Sequence, residues 1–85
     1  MSHFRDIYGN RIAHRIGDRI YDNYGNWVYE IRGDRIWDTF GNWKYELRDM
    51  GFWGVRIFDT SGNWKYEIRG DRIYDADGNW MGTEH

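Results

Sequence analysis

The sequence predicts an all-β fold of about five antiparallel β-hairpins and ten short strands, a meander that closes or nearly closes into a barrel. Three observations predict it. A Gly-Asn pair recurs at Gly9, Gly25, Gly41, Gly62 and Gly78, with spacings of 16, 16, 21 and 16 residues. Each pair ends the string Asp-x-x-Gly-Asn, which is turn chemistry. The segments flanking these turns alternate apolar and charged residues with period two and are rich in aromatic and branched side chains, the pattern of half-buried strands. Glycine recurs too often for helix.

The hairpins follow in order. Residues 1–16 hold a degenerate unit around Asp6-Ile7-Tyr8-Gly9-Asn10. There Arg11, Ala13 and Arg15 stand where later units carry Trp, Tyr and Ile, while Ile12 and Ile16 fall one place off. Either a bulge resets the register or this hairpin is an atypical cap, as terminal repeats often are. Residues 17–32 read GDRIYDNYGNWVYEIR and residues 33–48 read GDRIWDTFGNWKYELR. The fourth unit, 49–69, begins with the insertion Asp49-Met50-Gly51-Phe52-Trp53 and continues GVRIFDTSGNWKYEIR. Residues 70–85 read GDRIYDADGNWMGTEH.

In each Asp-x-x-Gly-Asn string the aspartate caps a type I turn and the glycine takes the left-handed conformation, which makes a three-residue loop. Asp38 then pairs with Asn42, Trp37 with Trp43 and Arg35 with Tyr45. One face holds Arg35, Trp37, Trp43, Tyr45 and Leu47. The other holds Asp34, Ile36, Lys44 and Glu46. If the Arg-Gly-Asp return is also a three-residue loop, every hairpin turns its aromatics inward and advances the register by two residues, the stagger that closes a barrel. A two-residue Gly-Asp return would alternate the faces in an open sheet. The closed form is preferred, because it hides the strand edges.

Composition narrows the function. The 85 residues make one domain at most. There is no cysteine, so neither a disulfide nor a thiolate metal site is available. Twelve basic against 14 acidic residues argue against nucleic acid and against an anionic membrane surface. No apolar run approaches a membrane span, and the opening Met-Ser-His-Phe-Arg-Asp has no signal-peptide core, which predicts a cytoplasmic protein. Aromatic residues make up 20% of the chain, and arginine outnumbers lysine ten to two. Arginine stacks on rings and pairs with carboxylates, which suits such a surface.

The iterated Ile-Tyr-Asp-x-x-Gly-Asn, followed by an alternating strand and a Gly-Asp turn, resembles the short bacterial hairpin-repeat domains called beta flower, from about Asp6 to Trp80. That resemblance implies fold and carries no activity. Units ending in Gly-Asn-Trp are also similar to the aromatic hairpins of choline-binding modules, although the Gly-Trp and Tyr-Tyr pairs of those modules are absent. The Tyr-Asp-x-x-Gly-Asn string resembles the longer YD repeats of large bacterial toxins.

Two sets of residues are candidate sites. Trp27, Trp43, Trp64 and Trp80 with Tyr29, Tyr45 and Tyr66 would serve as a stacking platform for carbohydrate or a quaternary ammonium ligand, or else form the core that a small β domain with few leucines must build. Core is the simpler reading. Ile20, Ile36, Ile57 and Ile73, opposite the aromatics, would form an apolar stripe for self-association, and Phe52 and Trp53 a plug or second sticky site. Weaker signals have structural explanations. Asp75-Ala76-Asp77-Gly78-Asn79 resembles part of a calcium loop, yet its sister turns lack the second acid. Arg32-Gly33-Asp34 and Arg69-Gly70-Asp71 spell an adhesion tripeptide at places where the repeat needs a return turn. His3, His14 and His85 are scattered, with no recurring nucleophile beside them. The expectation is a non-enzymatic structural or protein-interaction module, self-associating, without cofactor or metal, its protein or glycan partner unidentified. A ligand-binding module is the alternative.

Overall fold

Each unit of the repeat becomes one hairpin in the computed structural model, which describes residues 1–85. The strands are β1 (Ser2–Asp6), β2 (Arg11–Ile16), β3 (Arg19–Asp22), β4 (Trp27–Arg32), β5 (Arg35–Asp38), β6 (Trp43–Asp49), β7 (Val55–Asp59), β8 (Trp64–Arg69), β9 (Arg72–Asp75) and β10 (Trp80–Glu84). Each pairs antiparallel with its chain neighbours, and β1 pairs with β10, so the meander closes into a ten-stranded barrel. Both ends of the chain are therefore in the sheet. The His3 N–H donates to the His85 carbonyl at 2.9 Å, and the His85 N–H donates back at 3.0 Å.

The five hairpin turns share one chemistry. The Asp38 N–H donates to the Asn42 carbonyl at 2.9 Å, and the Gly41 N–H donates to the Asp38 carbonyl at 3.2 Å. The Asp38 carboxylate accepts the Phe40 and Asn42 N–H groups at 2.9 and 2.8 Å, and its other oxygen accepts the Asn42 side-chain amide at 3.1 Å. Gly41 sits at φ 83°, which the loop requires and which a Cβ would strain. Asp6, Asp22, Asp59 and Asp75 repeat the pattern.

At the other end of the barrel the returns are tight. Arg32 faces Arg35 directly across Gly33-Asp34, and Gly33 has φ 59°. A glycine with positive φ at the first central position is the two-residue hairpin turn that matches strand twist. Between β6 and β7 the insertion widens this return into a short 3-10 turn, Gly51–Trp53. Both Arg-Gly-Asp tripeptides lie in these returns.

The expected faces are corrected here. A three-residue return does not occur, and an uninterrupted two-residue return would have alternated the faces. Every hairpin also carries a bulge, which restores the parity. Trp37 does pair with Trp43, but the next pairs are Ile36 with Tyr45 and Arg35 with Glu46, so the second strand contributes one extra residue, Lys44. The same shift occurs beside Phe4, Ile20, Ile57 and Trp80. The bulge separates Trp43 from Tyr45. Ile36 joins Tyr45 and Leu47 on the inner face, while Arg35, Trp37, Trp43 and Glu46 face out. The expected advance of two residues per hairpin survives: Ile20 pairs with Tyr29 and Tyr29 with Asp38, two places beyond Ile36, the counterpart of Ile20. The first hairpin obeys the same rule, with its bulge between Phe4 and Arg5 putting Phe4 opposite Ala13.

Ten strands enclose more room than side chains readily fill, since about eight give an interior that side chains just pack. Ile36, at 7% exposure, is the one buried apolar side chain. Most other inward residues are half-buried around an open interior.

Candidate functional site

Three features of the barrel have chemistry to offer: its outer wall, its interior and its turn end. On the outer wall, each repeat tryptophan lies under an arginine from the partner strand of its hairpin. Arg19 sits over Trp27 at 4.3 Å, Arg35 over Trp43 at 4.5 Å, Arg56 over Trp64 at 4.2 Å and Arg72 over Trp80 at 5.5 Å. Each indole N–H bonds a carbonyl two residues ahead, as Trp43 does to Tyr45 at 2.9 Å. Trp27, Trp64 and Trp80 make the equivalent bond. The ring thus folds over the bulge and satisfies an acceptor there. A second row follows the same plan, with Arg48 over Phe58 at 4.2 Å and Arg69 over Tyr74 at 5.1 Å.

Glutamates tie the two rows together. Glu67 is only 2% exposed, and its carboxylate accepts from Arg69 Nε at 3.0 Å with Arg56 Nε at 4.0 Å. The buried carboxylate is thus flanked by two guanidinium groups, the kind of partners that burial of an acidic side chain calls for. Glu30 and Glu46 pair with Arg32 and Arg48 in more exposed versions.

The expected stacking platform is split by this geometry. Trp27, Trp43, Trp64 and Trp80 face out with one indole face covered, whereas Tyr29, Tyr45 and Tyr66 line the interior. Ile20, Ile36, Ile57 and Ile73 line it too, so they form no outward stripe. Phe52, at 96% exposure, and Trp53 lie on the surface in the insertion, their rings edge to face at 5.7 Å.

Inside is a cavity of about 370 Å³. Its origin is visible in the repeat. Three units place a tyrosine on the inner face after the bulge; the first and last place Ala13 and Gly82 there. Two missing rings leave space beside β1, β2 and β10. Ile12 and Met81, both about half exposed, share the wall with Phe4. Opposite, Tyr29 and Tyr45 meet edge to face at 6.4 Å. Burial, reinforced by Tyr29, Tyr66 and Asp59, pushes the Tyr45 phenol above its ordinary value, so the hydroxyl stays neutral at physiological pH.

The turn end carries residues that the sequence reading passed over. Tyr8, Tyr24 and Phe40 are 83, 88 and 89% exposed at the tips of three consecutive turns. The signal was present: polar Ser61 and Asp77 occupy the same position in the other two turns. The five turn aspartates stand in the same end. Backbone donation, first from the asparagine that closes each turn, holds every one of these carboxyls below the ordinary 3.8. Asp75 is occupied by this turn chemistry, as its sisters are.

The three histidines converge on the closing seam. His3 and His14 rings lie 6.1 Å apart, and His14 stacks on Tyr21 at 5.2 Å. Partial desolvation, then the charges of Arg11, Arg5 and His14, keep His3 below its ordinary 6.5. No helix is long and apolar enough to cross a membrane. Comparison with protein-family models, curated proteins and solved structures finds no significant match.

Proposed function

We propose that this chain is a non-enzymatic protein-interaction module that self-associates end to end, using the barrel as a rigid frame. The observation that carries this reading is the arc of Tyr8, Tyr24 and Phe40, three nearly fully exposed aromatic side chains on adjacent turns. Rings held on short hydrogen-bonded loops lose little entropy on contact and supply large apolar area, which is why such residues dominate interfaces. Phe52 and Trp53 offer a second apolar point at the opposite end.

Two like ends would bring two rings of ionised turn aspartates together, which charge repulsion opposes. An aromatic arc seated on the Phe52–Trp53 end of the next copy avoids this. Such a head-to-tail contact is heterologous and does not close on itself. The resemblance of the repeat to bacterial beta flower domains supports kinship with that group as part of the same proposal. A carbohydrate or quaternary ammonium ligand stacked on the tryptophans has less support, because a guanidinium already occupies one face of each indole.

Light scattering on a size-exclusion column, over a dilution series, tests the proposal. The mass should rise continuously with concentration. A combined Tyr8→Ser, Tyr24→Ser and Phe40→Ser variant, taking the residue type of Ser61, should fold and remain monomeric. A wild-type monomer at every concentration, or a variant that associates as the wild type does, contradicts it.

A further inference from the structure

We infer that the barrel interior is a binding site for a compact, uncharged hydrophobic molecule. The inference is independent of end-to-end association, because it concerns the inside of the barrel. It begins with the repeat. A fully regular five-unit barrel would place five tyrosines in one inner layer. This chain has Tyr29, Tyr45 and Tyr66 on one side of that layer and Ala13 and Gly82 on the other. The void is therefore sided and shaped, with a wall of rings facing a wall of small residues.

Size and chemistry then select the occupant. A volume of about 370 Å³ lies within the range of small-molecule sites. Twelve of the 14 lining residues are hydrophobic, six of them isoleucines drawn from all five hairpins. A charged ligand would lose hydration against this wall with little return. Tyr29, Tyr45 and Tyr66 add rings to this wall, and the Tyr45 phenol stays protonated, so it brings no charge against a neutral ligand. Arg5 is the one charged residue on the wall; its Nη1 donates to the Gly9 carbonyl in the first turn at 3.1 Å, while its Nε is buried without a partner, so the carboxylate arm of the test below probes this residue directly. Gly82 cannot gain a side chain to fill the void. A Cβ there would run into the Arg5 carbonyl across the closing strand pair. At that position, closure of the barrel and the opening of the cavity depend on the same glycine.

The test uses three molecules with one hydrocarbon cage: 1-adamantanol, adamantane-1-carboxylate and 1-adamantylammonium. Methyl NMR of the wild-type protein should show saturable shifts with the alcohol at Ile20, Ile36, Ile57, Ile73 and Met81. Ile7 and Ile16, half exposed on the outside, should not move. Both ions should bind at least about tenfold more weakly, reflecting the desolvation of charge. Ala13→Phe, which replaces a missing ring, should weaken the alcohol at least about tenfold by occupying its space. Should that variant fail to fold, the methyl map on the wild type decides alone. No saturable binding of the alcohol, shifts on the outer isoleucines instead of the inner ones, or ions that bind as tightly as the alcohol would each overturn the assignment.

Discussion

At the residue scale, turn aspartates and glycines set the geometry from which the rest follows. Each of the five aspartates presents its carboxylate to two backbone N–H groups and one side-chain amide, as Asp38 does. All five carboxyls are held below 3.8 in the folded chain. A depressed folded value means that the unfolded chain binds the proton more readily, so this stabilisation is full above about pH 4 and lost as pH falls through the folded values. Acid titration of the melting temperature should show that loss, and Asp38→Asn should flatten its share while keeping the acceptor that Asp38→Ala removes. Glycines divide into two kinds. Gly41 has open space around its Cα, so Gly41→Ala should cost only the left-handed backbone penalty, about 1–2 kcal/mol in denaturant unfolding. Gly54 and Gly82 lie against the backbone carbonyls of Ile68 and Arg5. Gly82→Ala should therefore cost much more than Gly41→Ala and should act at the seam.

At the scale of the element, the bulged hairpin explains both what the sequence disclosed and what it hid. The Asp-x-x-Gly-Asn loops and the pairing of Trp37 with Trp43 were legible, because turn chemistry fixes them, whereas the advance of two residues per hairpin was expected from a three-residue return and arises instead from a two-residue return and a bulge. The faces were not. Strict alternation puts Trp43 and Tyr45 on one side, and the bulge residue carries no common signature: Ile12, Val28, Lys44, Lys65 and Met81 occupy it in turn. A glycine return of two residues and a bulge are each parity changes, and together they cancel. That is why a closed barrel was foreseen while the isoleucines were assigned to the wrong side. The tryptophan has a definite task in this element. Its N–H satisfies the carbonyl beyond the bulge, and its ring carries an arginine. Trp43→Phe keeps a ring but loses the donor, so it should cost about 1 kcal/mol. A double-mutant cycle between Arg35 and Trp43 should return about 0.5–1 kcal/mol, the value of an exposed cation–π contact. A cycle energy near zero would mean that the stack seen at 4.5 Å adds nothing.

For the whole molecule, the weak point is the seam where the ends of the chain meet. Elsewhere each glutamate of the wall stands between arginines. At the seam and in the first hairpin beside it, His14 and Thr83 occupy those places, so no carboxylate answers Arg5, which faces Arg11 across β1–β2 as Arg32 faces Arg35 and Arg69 faces Arg72 in other pairs. The Arg5 Nε is buried without a hydrogen-bond partner, as is the Arg56 Nε, but only Arg56 has a carboxylate, Glu67, within 4.0 Å. Like charges opposed across a ladder are unfavourable, and His3 adds to them when protonated. Its folded value lies below 6.5, so the unfolded chain takes up the proton first, and the contribution of neutral His3 is lost as pH falls below about 6.5. Hydrogen exchange at the His3 and His85 amides, corrected for the intrinsic pH dependence of exchange, should show the seam opening more often at pH 5.5 than at pH 7.5, while the β5–β6 amides hold. An opened seam would also admit ligand to the cavity beside it. The cavity and the aromatic arc were only half legible in sequence. Ala13 stood out in sequence only as a departure from the repeat, and nothing in the alternation singled out Gly82 or joined Tyr8, Tyr24 and Phe40; closure places the first two beside one void and the last three on one rim.

A hollow closed barrel with isoleucine and tyrosine inside is tested most directly by the cross-strand nuclear Overhauser spectrum of the labelled chain. Contacts should join Ile36 to Tyr45 and Phe4 to Glu84, the first reporting the bulged register and the second the β1–β10 closure. Contacts between Arg35 and Tyr45, with none between β1 and β10, would instead describe unbulged hairpins in an open sheet and contradict the architecture on which the interior site depends.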